Sequence, residues 1–76
     1  MPNLNQRQSS IEGRASTNEA KRQIIERLYT LWTQWPDLRL GQLIFNIEPY
    51  PYYREDEHLL TVLEEGYAAV REGEKA

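Results

Sequence analysis

The residues of this 76-residue chain best able to do acid–base or metal chemistry are a run of three acids, Glu55, Asp56 and Glu57, and the single histidine that follows, His58. Their spacing argues against such chemistry. Consecutive side chains on a helix point about 100° apart, so three adjacent carboxylates cannot converge on one ion or one proton. One histidine and no cysteine leave no zinc ligand set and no Cys/His or Ser/His/Asp arrangement. No glycine-rich phosphate loop is present. The acids read instead as favourable charge at the positive end of a helix, with His58 on the surface. The chain is therefore expected not to be an enzyme and to have no catalytic residue, no metal and no cofactor.

Recognition chemistry is better represented. In "WPDLRLGQLIFN" (35–46), Arg39, Gln42 and Asn46 recur at spacings of three and four, a polar stripe along one short helix. Two readings compete. In the structural one, Arg39 makes a two-pronged pair with a carboxylate among Glu55, Asp56 and Glu57. Gln42 then satisfies carbonyls of the Pro-rich linker that follows, and Asn46 closes the helix end. In the other, the stripe faces a partner. The structural reading is the expectation, because the linker prolines leave groups that need tethering. Five aromatics, Trp32, Trp35, Tyr50, Tyr52 and Tyr53, fall within 22 residues. Trp32 lies mid-stripe on a helix and reads as core. Trp35 and the tyrosines need not be buried, and Tyr, Trp and Arg together are the composition of a protein-binding hot spot. The candidate binding residues are thus Arg39, Gln42, Asn46, Trp35, Tyr50, Tyr52 and Tyr53.

The frame that must hold these residues is small. A chain of this length makes one domain with a modest core, which favours a homo-oligomer or a complex with a partner. A hydrophobic fraction of 39% and a charged fraction of 28% fit a globular fold. No apolar run is long enough to span a membrane, and no secretory signal opens the chain, so a cytoplasmic location is expected. Residues 1–36 carry five Arg/Lys against three acids, and residues 37–76 carry four against nine. The acidic second half argues against a phosphate-binding surface there.

Residues 1–15 are polar and aperiodic and read as a disordered leader. Within them "IEGR" (11–14) is identical to the recognition tetrapeptide of the protease factor Xa. It reads either as the remnant of an expression tag or as a chance match in a natural tail. A first helix is expected from a capping box of Ser16 and Glu19. Ile24, Leu28, Leu31, Trp32 and Trp35 form its buried face, and Pro36 ends it. A second helix is expected from Asp37 as N-cap to Asn46 or Ile47. Leu40, Leu43, Ile44 and Ile47 make one apolar face, and Leu38, Gly41 and Phe45 make another. So enclosed a helix implies that a neighbouring backbone approaches Gly41 closely. A strand over 42–53 is the alternative. "EPYPYY" (48–53) cannot be α-helix and reads as a linker. A last helix opens at Glu55, with a stripe of Leu59, Val62, Leu63, Gly66, Tyr67 and Val70. The fold class is all-α, a three-helix domain over about 16–71, with a Pro/Tyr-rich linker between helices two and three and a frayed tail at 72–76.

The pattern Trp32, Pro36, Asp37, Arg39, Gly41, Gln42, Leu43, Ile44 and Asn46, with Tyr53, Glu55, Asp56 and Leu59 downstream, resembles a group of short, uncharacterised bacterial and phage proteins. The resemblance covers residues 28–63 and excludes "EPYPYY" and the leader. It implies a small helical intracellular protein from a mobile element and assigns no activity. The function expected is a non-enzymatic adaptor or inhibitor that binds another protein, a phage- or defence-related regulator. The alternative is a nucleic-acid-binding regulator using Lys21, Arg22 and Arg27 on the first helix.

Overall fold

The computed structural model describes residues 11–75 of the chain. Helix α1 spans Asn18–Gln34, α2 spans Leu40–Phe45 and α3 spans Asp56–Lys75, with a 3-10 turn at Pro51–Tyr53 between the last two. The all-α class and the Pro/Tyr-containing linker are as expected, and no strand occurs among the described residues.

Helix α1 begins one residue later than its sequence signal. Thr17, in an extended conformation, is the N-cap and accepts from the Ala20 N–H at 3.0 Å. Ser16 and Glu19 do not form the expected box. Glu19 instead accepts from the Gln23 amide at 3.3 Å. Both Ser16 and Thr17 have capping chemistry. The choice falls to Thr17 because the chain before it is pinned: Lys21 Nζ donates to the Ala15 carbonyl at 2.7 Å, and Ala15 is buried. At the far end Trp35 leaves the helix ahead of Pro36.

Helix α2 is shorter than expected, and Asp37 does not cap it. Leu38 is held outside by two bonds: its N–H donates to the Trp35 carbonyl at 3.1 Å, and its own carbonyl accepts from Trp32 Nε1 at 2.7 Å. Arg39 occupies the N-cap position, and Gln42 Oε1 accepts from the Arg39 N–H at 2.8 Å. The prolines of "EPYPYY" rule out an α-helix there but not a single 3-10 turn. Pro51 sits at its first position, where no N–H is needed.

The pairings across α1 and α3 advance together: Arg14 with Glu55, Arg27 with Glu64, Trp35 with Arg71. These two helices therefore run parallel. Helix α2 returns antiparallel to α3, with Leu43 against Tyr67 and Ile47 against Gly66. The core is Leu31, Leu43, Leu63 and Tyr67, flanked by Leu28, Trp32, Trp35, Leu38, Ile44, Ile47 and Leu59. The Tyr67 hydroxyl donates to the Leu43 carbonyl at 2.6 Å. That carbonyl needs a donor because the Ile47 N–H has turned to Ile44. Burial pushes the Tyr67 phenol above its ordinary pKa, with the Asn46 side chain pulling the other way. Leu60, outside the expected stripe, is buried, whereas Val70, inside it, is exposed.

Two glycine readings change. A Cβ at Gly41 would meet nothing within 4 Å, so no backbone approaches it. Gly66 is the site of close contact, facing Ile47, and α3 runs through it without a break. Gly41→Ala is accordingly expected to raise stability by about 0.5–1 kcal/mol through helix propensity alone. A lower urea midpoint for that variant would show that something packs there after all.

The expected leader also divides. Residues 1–10 lie outside the described residues, but 11–15 are bound to the start of α3 and are not a disordered leader. Arg14 Nε and Nη2 donate to the two Glu55 oxygens, both at 2.7 Å. The Ala15 N–H donates to Asp56 Oδ2 at 2.7 Å, and the Glu57 N–H donates to the Gly13 carbonyl at 2.7 Å. Gly13 has φ +89° and lies against His58, a left-handed position that favours glycine. The tetrapeptide "IEGR" is thus part of the folded domain and caps its last helix.

Candidate functional site

Arg14 takes the Glu55 carboxylate and the Ala15 N–H takes that of Asp56, and Arg39 makes no ion pair with Glu55, Asp56 or Glu57. Its guanidinium has no carboxylate partner among the described residues, and the residue is exposed. The tethering role expected for Arg39 therefore falls elsewhere. Arg14 holds Glu55, and Arg54 holds Glu48. Glu48 is buried, accepts from the Tyr50 N–H at 2.8 Å and from Arg54 Nε, and these two donors hold its carboxyl below the usual range. This local staple, not Gln42, fixes the Pro-rich linker. Gln42 serves its own helix start, and Asn46 stands at the helix end beside the Tyr67 phenol.

The outer arc of α2 results from helical geometry and from what α1 and α3 leave uncovered. At 100° per residue, Leu43, Ile44 and Ile47 face inward. Gly41, Gln42 and Phe45 face outward, with Arg39 at the helix start and Asn46 at the border, its side chain turned to the Tyr67 phenol. The second apolar face expected for α2 is only partly enclosed: Leu38 packs against the core, but Phe45 is 57% exposed, and on the first face Leu40 is 39% exposed. Phe45 lies on the outer arc between the bare Gly41 and Gln42. An exposed phenylalanine beside a glutamine, on a helix that opens with an exposed arginine, has the composition of a protein-binding patch, with an apolar centre and polar surroundings. Sequence periodicity placed Phe45 in the interior. Nothing in a six-residue helix reveals which of two apolar faces stays uncovered.

The remaining candidates lie elsewhere. Tyr50, Tyr52 and Tyr53 are 66%, 88% and 80% exposed, and the rings of Tyr52 and Tyr53 meet edge-on at 5.2 Å. Trp35 belongs to the packing: its ring is 5.0 Å from Tyr67, and the Arg71 guanidinium lies 5.1 Å over it. Its indole N–H is buried with no acceptor among the described residues. Trp35 and Arg71 line one end of an open groove of about 650 Å³ between α1 and α3, with Arg27 and Glu64 further along.

The basic face of α1 is largely spent on internal contacts. Lys21 is bound to the Ala15 carbonyl. Arg27 makes a two-pronged pair with Glu64 at 3.0 and 2.8 Å. Among the described residues no group of three or more His, Cys, Asp or Glu side chains is placed to hold a metal ion, and no helix is long and apolar enough to cross a membrane. No family model, no curated protein and no solved structure matches this chain.

Proposed function

We propose that this protein is a non-enzymatic, cytoplasmic protein-binding module that docks through the outer arc of α2. The observation that carries this reading is Phe45, 57% exposed beside Gly41 and Gln42 on a helix whose N-cap, the exposed Arg39, has no carboxylate partner among the described residues. Burying a phenylalanine removes a large apolar surface from water, and an unpaired guanidinium can take a carboxylate in a two-pronged contact. The partner is a protein surface with an apolar pocket for Phe45 and an acid for Arg39. The role proposed is that of an adaptor or inhibitor in a phage or host-defence setting.

Arg39→Ala is expected to leave the thermal melt within about 0.5 kcal/mol of wild type, as exposed substitutions usually do. Phe45→Ser is expected to melt near wild type as well. Both should lose the protein that wild type captures from source cells. A large drop in the Arg39→Ala melt would return Arg39 to a structural role. Capture undiminished in both variants would overturn the docking surface. Binding to mixed DNA and RNA at about 50 mM salt that disappears at higher salt would transfer the function to the cations of α1. Sedimentation of wild type beside Phe45→Ser tests whether the partner is a second copy.

A further inference from the structure

The attachment of residues 13–15 to α3 surrounds one peptide bond, Arg14–Ala15. On its acyl side, Arg14 is locked to Glu55 by two bonds of 2.7 Å, and the Gly13 carbonyl is taken by the Glu57 N–H. On its amine side, the Ala15 nitrogen is 2.7 Å from Asp56 Oδ2, and the Ala15 carbonyl accepts from Lys21 Nζ. Residues 11–14 are bent into a turn, with the Arg14 N–H donating to the Ile11 carbonyl at 3.2 Å. We propose that Arg14–Ala15 is a processing site for an arginine-specific serine protease, latched by the fold, and that the N-terminus created by the cut is already seated.

The fold sets both what must open before the cut and where the new N-terminus lies after it. A protease of this class binds the residues around the cut as an extended strand and draws the arginine side chain into a specificity pocket. Here the arginine is held by Glu55 and the preceding residues form a turn, so cutting requires the latch to open first. Hydrolysis then adds water across the bond. Hydroxyl goes to the Arg14 carbonyl carbon, the C–N bond breaks, and the Ala15 nitrogen takes the proton. Transfer of the carboxyl proton leaves an Arg14 carboxylate and an Ala15 ammonium. That ammonium would lie where the amide nitrogen now lies, against the Asp56 carboxylate, turning a neutral hydrogen bond into a charge-assisted one. Ala15 is 7% exposed, so the new terminus begins inside the fold rather than on a loose tail.

Factor Xa is the probe, because residues 11–14 are its recognition sequence. The full chain is expected to be cut at Arg14–Ala15 at least about tenfold more slowly than a synthetic peptide of residues 8–20, since cutting follows the open population. Glu55→Gln should speed cutting of the full chain by about fivefold, the range of a part-exposed ion pair. Equal rates for protein and peptide, or for wild type and Glu55→Gln, would overturn the latch. The cut wild-type protein should remain helical by circular dichroism. Cutting should lower the melting temperature of Asp56→Asn more than it lowers that of wild type. Equal losses in the two would overturn the seated N-terminus, and preferred cutting after Arg7 or Arg22 would overturn the site.

Discussion

Leu63→Ala is expected to destabilise the protein by about 2–5 kcal/mol and to leave a large unfolded fraction at room temperature. Leu63 is 0% exposed and lies in the cluster with Leu31, Leu43 and Tyr67, where all three helices meet. Truncation removes its transfer energy and leaves a cavity that a short α2 cannot collapse into. A single core of this size supplies roughly 3–5 kcal/mol in total, so the loss is comparable with the whole stability. Val70→Ala is the control. Val70 is on the same sequence stripe but is 41% exposed, so its loss should stay below about 1 kcal/mol. Urea titrations followed by circular dichroism would distinguish the two. Equal midpoints for both variants would contradict the placement of the core.

Gly66→Ala is expected to cost about 1–2 kcal/mol although it replaces a poor helix former with the best one. A Cβ there would fall 2.5 Å from Ile47 Cγ2 and 3.0 Å from Cδ1. Alanine gains about 1 kcal/mol of helix propensity, and overpacking costs roughly 1–3 kcal/mol. The clash prevails because Ile47 is branched at Cβ and meets the new atom with its Cγ1 as well, so no single torsion clears it. In an Ile47→Ala background those three atoms are gone, and Gly66→Ala should become neutral or stabilising. The double-mutant cycle isolates the contact. A higher melting temperature for Gly66→Ala in the wild-type background would show that α2 does not press on α3 there.

The periodicity of apolar residues determined much by itself. Ile24, Leu28, Leu31, Trp32 and Trp35 share the inner face of α1, and Pro36 forces the chain out of that helix, because these follow from local geometry and from a missing N–H. The all-α class and the non-helical linker follow likewise. What needed the tertiary structure was every choice between locally equivalent options. Ser16 and Thr17 cap equally well until Lys21 pins Ala15. Arg14 and Arg39 could each pair with Glu55, and the one that does lies 41 residues away in a stretch with no apolar pattern. Gly41 and Gly66 look alike in sequence, yet only Gly66 is pressed by a side chain from another helix end, that of Ile47. Phe45 and Leu43 both continue apolar stripes of α2, and which one is covered depends on where α1 and α3 lie. An ion pair or a contact between distant residues has no period, so the candidate site, the exposed Phe45 on the outer arc of α2, became visible only once the helices had been placed around it.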